Sequence, residues 1–236
     1  MIAFQDRPSD SPLVERVWCS RSERPGRFLS IAQSCFEMVV SRHDGRTTLS
    51  LRGPETRAST AELPAEGEWI GIRFKVGTFV PHLTPGRLAD RRDAVLPAAT
   101  TRAFWLNGSA WEYPAFENAD TFVARLVARG ILAHDSCVAD AVRGLTASAT
   151  SQRTVQRRCL TAAGLACGTI RQIERARFAT GLLRDGVSIL DVVHRAGYYD
   201  QAHLTRSVRQ LVGLTPAAIG RGGEQLSFLY KTPFWP

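Results

Sequence analysis

The spacing of apolar residues changes once along the chain. Up to about residue 113, short runs rich in β-branched and aromatic residues alternate with turn residues, a pattern typical of antiparallel strands. Asp44 and Gly45 separate two of these runs and predict a hairpin, because an Asp-Gly pair accepts the left-handed conformations of a tight turn. The predicted strands cover residues 14–19, 28–31, 36–41, 47–51 and 69–76.

From Asn118 onward the apolar residues follow the period of a helix. Phe122, Leu126 and Val127 share one face of a helix that Gly130 can end. This helix either bridges two domains or packs on the sheet. We therefore predict an α+β protein with a β-rich barrel or sandwich in residues 1–117, a bridging helix in 118–134, an all-α domain in 135–221 and an apolar docking tail in 222–236.

Residues 188–216 predict two short helices joined by a tight aromatic turn. Gly197 can end the first helix, and Asp200 can cap the second. The second helix carries an apolar stripe made of Leu204, Val208 and Leu211. Its polar side chains off that stripe suit base edges and phosphates, and they are Gln201, His203, Arg206 and Arg209. An ordinary helical hairpin with a solvated face would show the same pattern.

Basic residues are concentrated in the helical part of the chain. Residues 134–236 contain 13 Lys and Arg against 7 acids, a net charge of +6, whereas residues 1–133 contain 17 against 15, a net charge of +2. Such an asymmetry favours a polyanionic partner, for which the binding should weaken as salt is added. A general preference for arginine in the source genome is the alternative explanation.

The sequence predicts a cytoplasmic protein that does not enter a membrane. It lacks a run of about 18 uncharged apolar residues, and residues 1–11 carry charges without the apolar core of a signal peptide. The five cysteines are odd in number and form no CxxC pair, so neither a disulfide framework nor a zinc site is indicated. We expect reduced thiols that mostly fill the core, with Cys159 one turn after Val155 on the buried side of a helix.

Several short motifs follow one another in a fixed order around the predicted turn. They are Gly197-Tyr198, Asp200-Gln201, His203-Leu204-Thr205-Arg206, and Gly213 with Thr215-Pro216. In this order they resemble the second helix-turn-helix of the AraC/XylS family of bacterial transcription regulators. Upstream, residues 151–158 with Gly164 resemble that family's first recognition helix, and residues 175–183 its connecting helix. The resemblance covers residues 135–221, and several ordered motifs are more specific than a single short one.

The resemblance implies a role for each matching position. Recognition helices at about 151–163 and 200–212 would enter successive major grooves, about 34 Å apart on an asymmetric site, with a connecting helix at 169–184 holding both on one face of the DNA. Base contacts would fall on Arg153, Gln156, Arg157, Gln201, Ala202, His203 and Arg206. Ala202 offers only an apolar contact to a thymine methyl. Phosphate contacts would fall on Ser151, Thr205 and Arg209.

The first of these two modules departs from the family pattern. Only residues 146–150 separate the helix predicted at 135–144 from the Ser151 cap, so the usual intervening helix is truncated or absent. Either the 135–144 helix supports a compressed helix-turn-helix, which we favour, or the module is degenerate and reads little sequence.

For the β-rich domain the family implies a cupin-like barrel that binds a small effector. The aromatic residues Trp69, Phe104, Trp105 and Trp111 could line such a pocket, although large aromatics in a small sheet are more often core. This region offers only His43 and His82 as histidine ligands and no HxH pair, so we expect no metal, no cofactor and no enzymatic activity.

The sequence thus predicts a sequence-specific transcription regulator controlled through its β-rich domain. Double-stranded DNA is the expected partner, and a small-molecule effector, RNA polymerase and a second copy of the chain are further candidates. The competing interpretation is a β-barrel enzyme or ligand carrier whose helical half only attaches it to nucleic acid.

Overall fold

The computed structural model describes residues 2–83, 85–90, 94–145, 151–222 and Leu226. The strands are β1 Ile2–Arg7, β2 Val14–Ser22, β3 Gly26–Ser30, β4 Glu37–His43, β5 Arg46–Arg52, β6 Ser59–Leu63, β7 Gly67–Phe74, β8 Thr78–Phe79, β9 Ala94–Val95, β10 Ala98–Thr100, β11 Ala103–Leu106, β12 Ser109–Glu112 and β13 Ala133–His134. The helices are α1 Ala119–Ala128, α2 Ser136–Arg143, α3 Gln152–Ala163, α4 Cys167–Arg184, α5 Ile189–Arg195, α6 Gln201–Val212 and α7 Pro216–Arg221, and a short 3-10 turn covers Pro85–Arg87. The α+β prediction is therefore confirmed.

Six antiparallel strands form the main sheet, in the order β1-β2-β7-β4-β5-β9. Alternate residues of β7, such as Ile70 and Ile72, point to a core that Phe104, Trp111 and α1 complete on the other side. The strands β10, β11 and β12 form a small second sheet, and β3 pairs with β6. Among the described residues the main sheet stays open between β1 and β9, so its strands form an open sheet instead of a closed barrel.

The predicted hairpin is present between β4 and β5. His43 pairs with Arg46, and the two residues between them have positive φ angles, 50° at Asp44 and 68° at Gly45. These conformations match the right-handed twist of the flanking strands, which explains why an Asp-Gly pair is suitable here.

Helix α1 packs on the sheet, as one of the two alternatives predicted. Phe122 and Leu126 are buried, but Val127 is 43% exposed, and Val123 lies on the buried face in its place. The prediction was therefore wrong for Val127 alone. Val123 lies one turn earlier on the same side of the helix and is buried, whereas Val127 lies at the edge of the buried face.

The helices share their core with part of the β-rich region. Ile170, Ile173 and Ala176 of α4 lie at its centre, and Ile31 and Val76 of the β-rich part belong to the same apolar cluster. Helix α4 contacts α2 and α3 as well as α5 and α6. The division into domains at residue 117 stays a prediction, because the two parts are joined by a continuous core.

Two of the five cysteines are paired, and the expectation of reduced thiols throughout was wrong. Cys159 of α3 and Cys167 of α4 form a disulfide, with their Cα atoms 5.6 Å apart. Cys159 is also fully buried, as its place in the helix predicted. Cys19, Cys35 and Cys137 are free.

Two of the predicted segments lie wholly or mainly outside the described residues. The connection 146–150 is one, and the apolar tail is the other except for Gly222 and Leu226. Leu226 is buried and forms a parallel bridge with Leu29 of β3. In the part of the chain that the structure describes, no helix has the length and apolar character needed to span a membrane.

Candidate nucleic-acid interface

The second pair of helices, α5 and α6, has the local signals that a helix-turn-helix needs. Gly197 ends the first helix in a left-handed conformation with φ 67°. The Asp200 side chain accepts a hydrogen bond of 2.6 Å from the backbone N–H of His203 and so caps α6. Gly213 closes the helix with φ 84°. The sequence predicted the roles of Gly197 and Asp200 from residue type, whereas it identified Gly213 only as part of the motif that resembles the family.

Helix α6 buries one face and leaves the predicted base-contacting face open. Leu204, Val208 and Leu211 are buried, as predicted. The exposed residues on the other side include Gln201, Ala202, Arg206 and Arg209. The helix is therefore oriented so that amide and guanidinium groups are accessible to base edges and phosphates.

His203 is only partly exposed, because an aromatic ring holds it at the start of α6. Its imidazole packs edge-on against Tyr198, with ring centroids 5.1 Å apart. The Tyr198 hydroxyl lies 3.1 Å from the Ser207 hydroxyl, within hydrogen-bond distance. Burial raises the pKa of Tyr198, although the Ser207 contact and Arg175 oppose that shift, so the phenol stays neutral at pH 7.

Arg175 of α4 contacts the same turn. Its guanidinium lies 4.4 Å from the centroid of the Tyr198 ring, and its Nη1 donates to the carbonyl oxygen of Gly197 at 3.4 Å. A cation over an aromatic face and a hydrogen bond to the turn together fix where α6 begins. Arg175 lies in the motif of the connecting helix, but spacing alone did not show that it contacts the turn.

The hydroxyl groups predicted to contact phosphates also have roles within their helices. The Thr205 hydroxyl donates to the carbonyl oxygen of Gln201 at 2.8 Å, so it would have to release this bond to donate to a phosphate. Ser151 Oγ accepts from the backbone N–H of Thr154 at 3.2 Å and caps α3. Their phosphate contacts stay predictions, whereas the exposed guanidinium of Arg209 is not committed in this way.

The first pair of helices, α2 and α3, has a compact arrangement. Helix α2 packs directly on α3 and α4, and among the described residues no further helix lies between α2 and α3. On α3, Arg153, Gln156 and Arg157 are exposed. Together with Gln152, Thr154 and Leu160 they line an open groove. This geometry agrees with the interpretation in which α2 supports a compressed helix-turn-helix.

Helix α3 is held mainly by contacts to other elements. Arg158 lies 3.4 Å from the Asp135 carboxylate, which also caps α2. The disulfide from Cys159 to Cys167 joins the middle of α3 to the start of α4. The 3-10 turn Pro85–Arg87 packs against the same helix from the β-rich part.

Tyr199 was not among the residues selected from the sequence. Its side chain is 92% exposed and lies directly before the Asp200 cap, at the end of α6 that carries Gln201 and Ala202. Two consecutive aromatics in the turn were visible in the sequence, but only the structure separates the buried Tyr198 from the exposed Tyr199.

The four aromatic residues predicted for an effector pocket do not share a cavity. Phe104 and Trp111 are core residues, and Trp105 on the opposite face of β11 is 47% exposed. Trp69 lies on the face of β7 opposite to Ile70 and Ile72. Strand alternation separates them, which a sequence search for clustered aromatics does not take into account.

One cavity of about 500 Å³ lies at the end of the main sheet, and of the four predicted aromatics it contacts only Trp69. Val40, Ile70 and Phe116 contribute apolar surface. Glu68 also lines it, with its Oε1 atom 3.5 Å from Arg21 Nη1 and its Oε2 atom 3.9 Å from Arg42 Nη1. Within the described residues, no group of three or more His, Cys, Asp or Glu is placed to hold a metal ion.

Comparisons with known proteins match two separate stretches of the chain. Residues 145–222 match the profile of a family described as "Helix-turn-helix domain", and residues 7–97 match one described as "Domain of unknown function (DUF6597)". No curated protein matches the chain. Two crystal structures of ToxT from Vibrio cholerae, one from strain O395, are similar with TM-scores of 0.42 and 0.43 at 10% and 9% identity. They cover 91% of this chain and 97% and 95% of their own, and at this distance the likeness carries no argument about activity.

Proposed function

We propose how this chain reads DNA, from the premise that it belongs to the AraC/XylS family of DNA-binding transcription regulators. It carries an AraC-type helix-turn-helix domain after a β-rich domain. Helices α3 and α6 enter two successive major grooves of one asymmetric site, about one helical turn apart. The observation that supports this proposal is that both helices bury an apolar face on α4 and its neighbours while their polar faces stay open.

The proposed base contacts follow from the exposed positions near the start of each helix. Guanidinium groups suit guanine O6 and N7, and amide groups suit adenine N6 and N7. The set consists of Arg153, Gln156 and Arg157 on α3, and Gln201, Ala202, His203 and Arg206 on α6. His203 reads from a fixed orientation, because the Tyr198 ring restrains it.

Phosphate contacts set the position of the protein without reading sequence. We assign them to Arg209 and to the hydroxyls of Ser151 and Thr205 at the two helices. Replacing a basic side chain that neutralises one phosphate should reduce the slope of the logarithm of the DNA affinity against the logarithm of the salt concentration by about one.

We also propose that the β-rich domain modulates DNA binding in the cytoplasm. The cavity beside Arg21, Arg42 and Glu68 could take a small effector, because it combines charged side chains with apolar surface. Contacts with RNA polymerase and with a second copy of the chain stay predictions.

The proposal is tested by mapping bound sites across the genome and measuring purified protein on the recovered duplex and on a shuffled duplex of equal composition. We expect at least about 10³-fold tighter binding to the recovered site at physiological salt. Equal affinity for both duplexes would refute sequence-specific recognition. Repeating the measurement with candidate metabolites then shows whether an effector acts.

A further inference from the structure

A cluster of buried charges lies where the β-rich part meets the connecting helix α4. Glu15 and Arg73 belong to β2 and β7, whereas Glu174 and Arg177 belong to α4. All four side chains are at most 5% exposed. Burying charges is costly, and the cost is recovered only when every partner is in place. Such a cluster therefore tolerates one arrangement of the two parts and disfavours others.

Glu15 connects the two parts directly. Its Oε2 lies 3.4 Å from Arg73 Nε within the sheet, and its Oε1 lies 3.7 Å from Arg177 Nη2 on α4. Arg177 Nη1 donates to Glu174 Oε1 at 2.7 Å. The Ser34 hydroxyl donates to that same carboxylate oxygen at 2.5 Å. The sheet and the connecting helix thus share one network of ion pairs and hydrogen bonds.

The local structure of β2 directs Glu15 into this network. Val14 pairs with Phe74 and Arg16 pairs with Arg73, so Glu15 is the additional residue of a β-bulge. A bulge changes the direction of a side chain that regular alternation would have fixed. Burial alone would lower the pKa of Arg73, but the Glu15 carboxylate raises it above its ordinary value, so Arg73 remains charged.

Two other charged or ionisable groups border the cluster. Glu37 accepts a hydrogen bond of 2.5 Å from the indole N–H of Trp18 and lies opposite Arg73 on the neighbouring strand. The Cys35 Sγ atom lies 3.9 Å from Glu15 Oε2. Burial raises the pKa of this thiol, so it is neutral at pH 7 and adds no charge.

The β-rich part also holds the far end of the second recognition helix. The backbone N–H of Ala32 donates to the carbonyl oxygen of Leu211 at 2.7 Å, and that of Ala58 donates to Gln210 at 3.3 Å. These carbonyls belong to the last turn of α6, which has no partners for them within the helix. The β-rich part therefore contacts both α4, against which α3 and α6 pack, and α6 itself.

We propose that Glu15 and Arg73 are positioning residues for DNA recognition, which fix α4 against the β-rich part and so set the separation of α3 and α6. The inference rests on the proposed function and names how the β-rich domain acts on it. Because the cluster is stable only when complete, α4 has two states. When α4 is docked, α3 and α6 are held at a single separation, and when α4 is released, their separation varies. Any change that displaces β2 or β7 releases it.

The test uses the full chain with Glu15→Gln and with the matched control Glu62→Gln. Glu62 pairs with Arg27 on the surface, where both side chains are more than 70% exposed. Hydrogen exchange is measured over α4, and affinity is measured for the recovered duplex and for the same duplex with one base pair inserted between the two contacted segments. We expect Glu15→Gln to accelerate exchange in α4 by about tenfold or more and to abolish the preference for the native spacing, while Glu62→Gln changes neither.

A second variant separates positioning from simple loss of folding. The double substitution of Glu15→Gln with Arg177→Met removes one acid and one base, so the net charge of the cluster is unchanged. We expect it to recover part of the protection of α4 and of the spacing preference, because the charges that remain, Arg73 and Glu174, are opposite and still attract each other. Unchanged exchange in Glu15→Gln, or faster exchange with an intact spacing preference, would overturn the inference. Hydrogen exchange is measured without DNA. If the chain bound no duplex specifically, the proposed function would be refuted, but the exchange result would still show whether the charge cluster docks α4.

Discussion

The two helix-turn-helix modules hold their recognition helices in different ways. In the second module the start of α6 is fixed by a compact group consisting of the turn, the Tyr198 ring and Arg175 from the connecting helix. In the first, α3 depends on more distant partners, namely α2, the disulfide at Cys159 and the 3-10 turn of the β-rich part. The second module therefore holds its recognition helix through local contacts, whereas the position of α3 in the first module depends on the state of the rest of the chain.

The largest expected effect comes from the buried stripe of α6. Leu204→Ala should lower the free energy of unfolding by about 2–5 kcal/mol, since Leu204 is fully buried and its loss leaves a cavity. Leu160→Ala on α3 is the control, because that side chain is 49% exposed and should cost no more than about 0.5 kcal/mol. Denaturant unfolding measures both. Equal losses would mean that α3 is packed in a way the structure does not show.

The disulfide provides a test of how α3 is held against α4. Breaking the link between Cys159 and Cys167 should lower the stability of the oxidised protein by about 2–3 kcal/mol, because it closes a short loop in the unfolded chain. Thermal unfolding with and without reductant measures the change, and Cys167→Ser should be insensitive to reductant. Peptide mapping without reduction must recover 159 and 167 in one linked species, and two freely alkylated thiols would remove this support from α3.

Arg206 tests base recognition by the second module. Arg206→Ala should weaken binding to the recovered site by about 1–3 kcal/mol and relax the preference at one base pair, because the side chain is exposed and points away from the buried stripe. Arg209→Ala is the matched comparison and should weaken all duplexes alike while reducing the salt slope by about one. Competition binding at several salt concentrations separates the two. Identical behaviour of the two variants would contradict the assignment of roles.

The smallest effect is expected at the helix caps. Ser151→Ala and Asp200→Ala should each cost about 1 kcal/mol of stability, since each side chain satisfies a backbone N–H at the start of its helix. Asp200→Asn keeps an accepting oxygen and should be close to the unaltered protein. Thermal unfolding measures both losses of stability. A loss for Ser151→Ala well below that for Asp200→Ala would indicate that the first turn of α3 is already frayed in the unaltered protein.

Sequence periodicity predicted those features that depend on nearby residues. The caps at Ser151 and Asp200, the hairpin at Asp44 and the buried stripe of α6 all follow from residues within one or two turns of each other. Periodicity placed Val127 on the buried face of α1, but this residue lies at the edge of that face and is exposed, which spacing alone does not show.

Features that join distant segments could not be predicted in this way. Glu15 meets Arg177 across the fold, and its direction depends on a bulge that has no clear sequence signal. Cys159 and Cys167 lie on two different helices, so their spacing did not indicate a pair. The sequence motif identified Arg175 as part of the connecting helix but did not reveal its contact with Tyr198. That contact depends on how α4 packs against the turn.

In the proposed complex one chain reads two successive grooves on one face of a duplex. Hydroxyl-radical footprinting of the purified protein on the recovered site decides whether it does so. We predict two protected segments about one helical turn apart, without palindromic symmetry, with Arg157→Ala weakening one segment and Arg206→Ala the other. A single protected segment, or two segments that respond alike to both substitutions, would contradict the account.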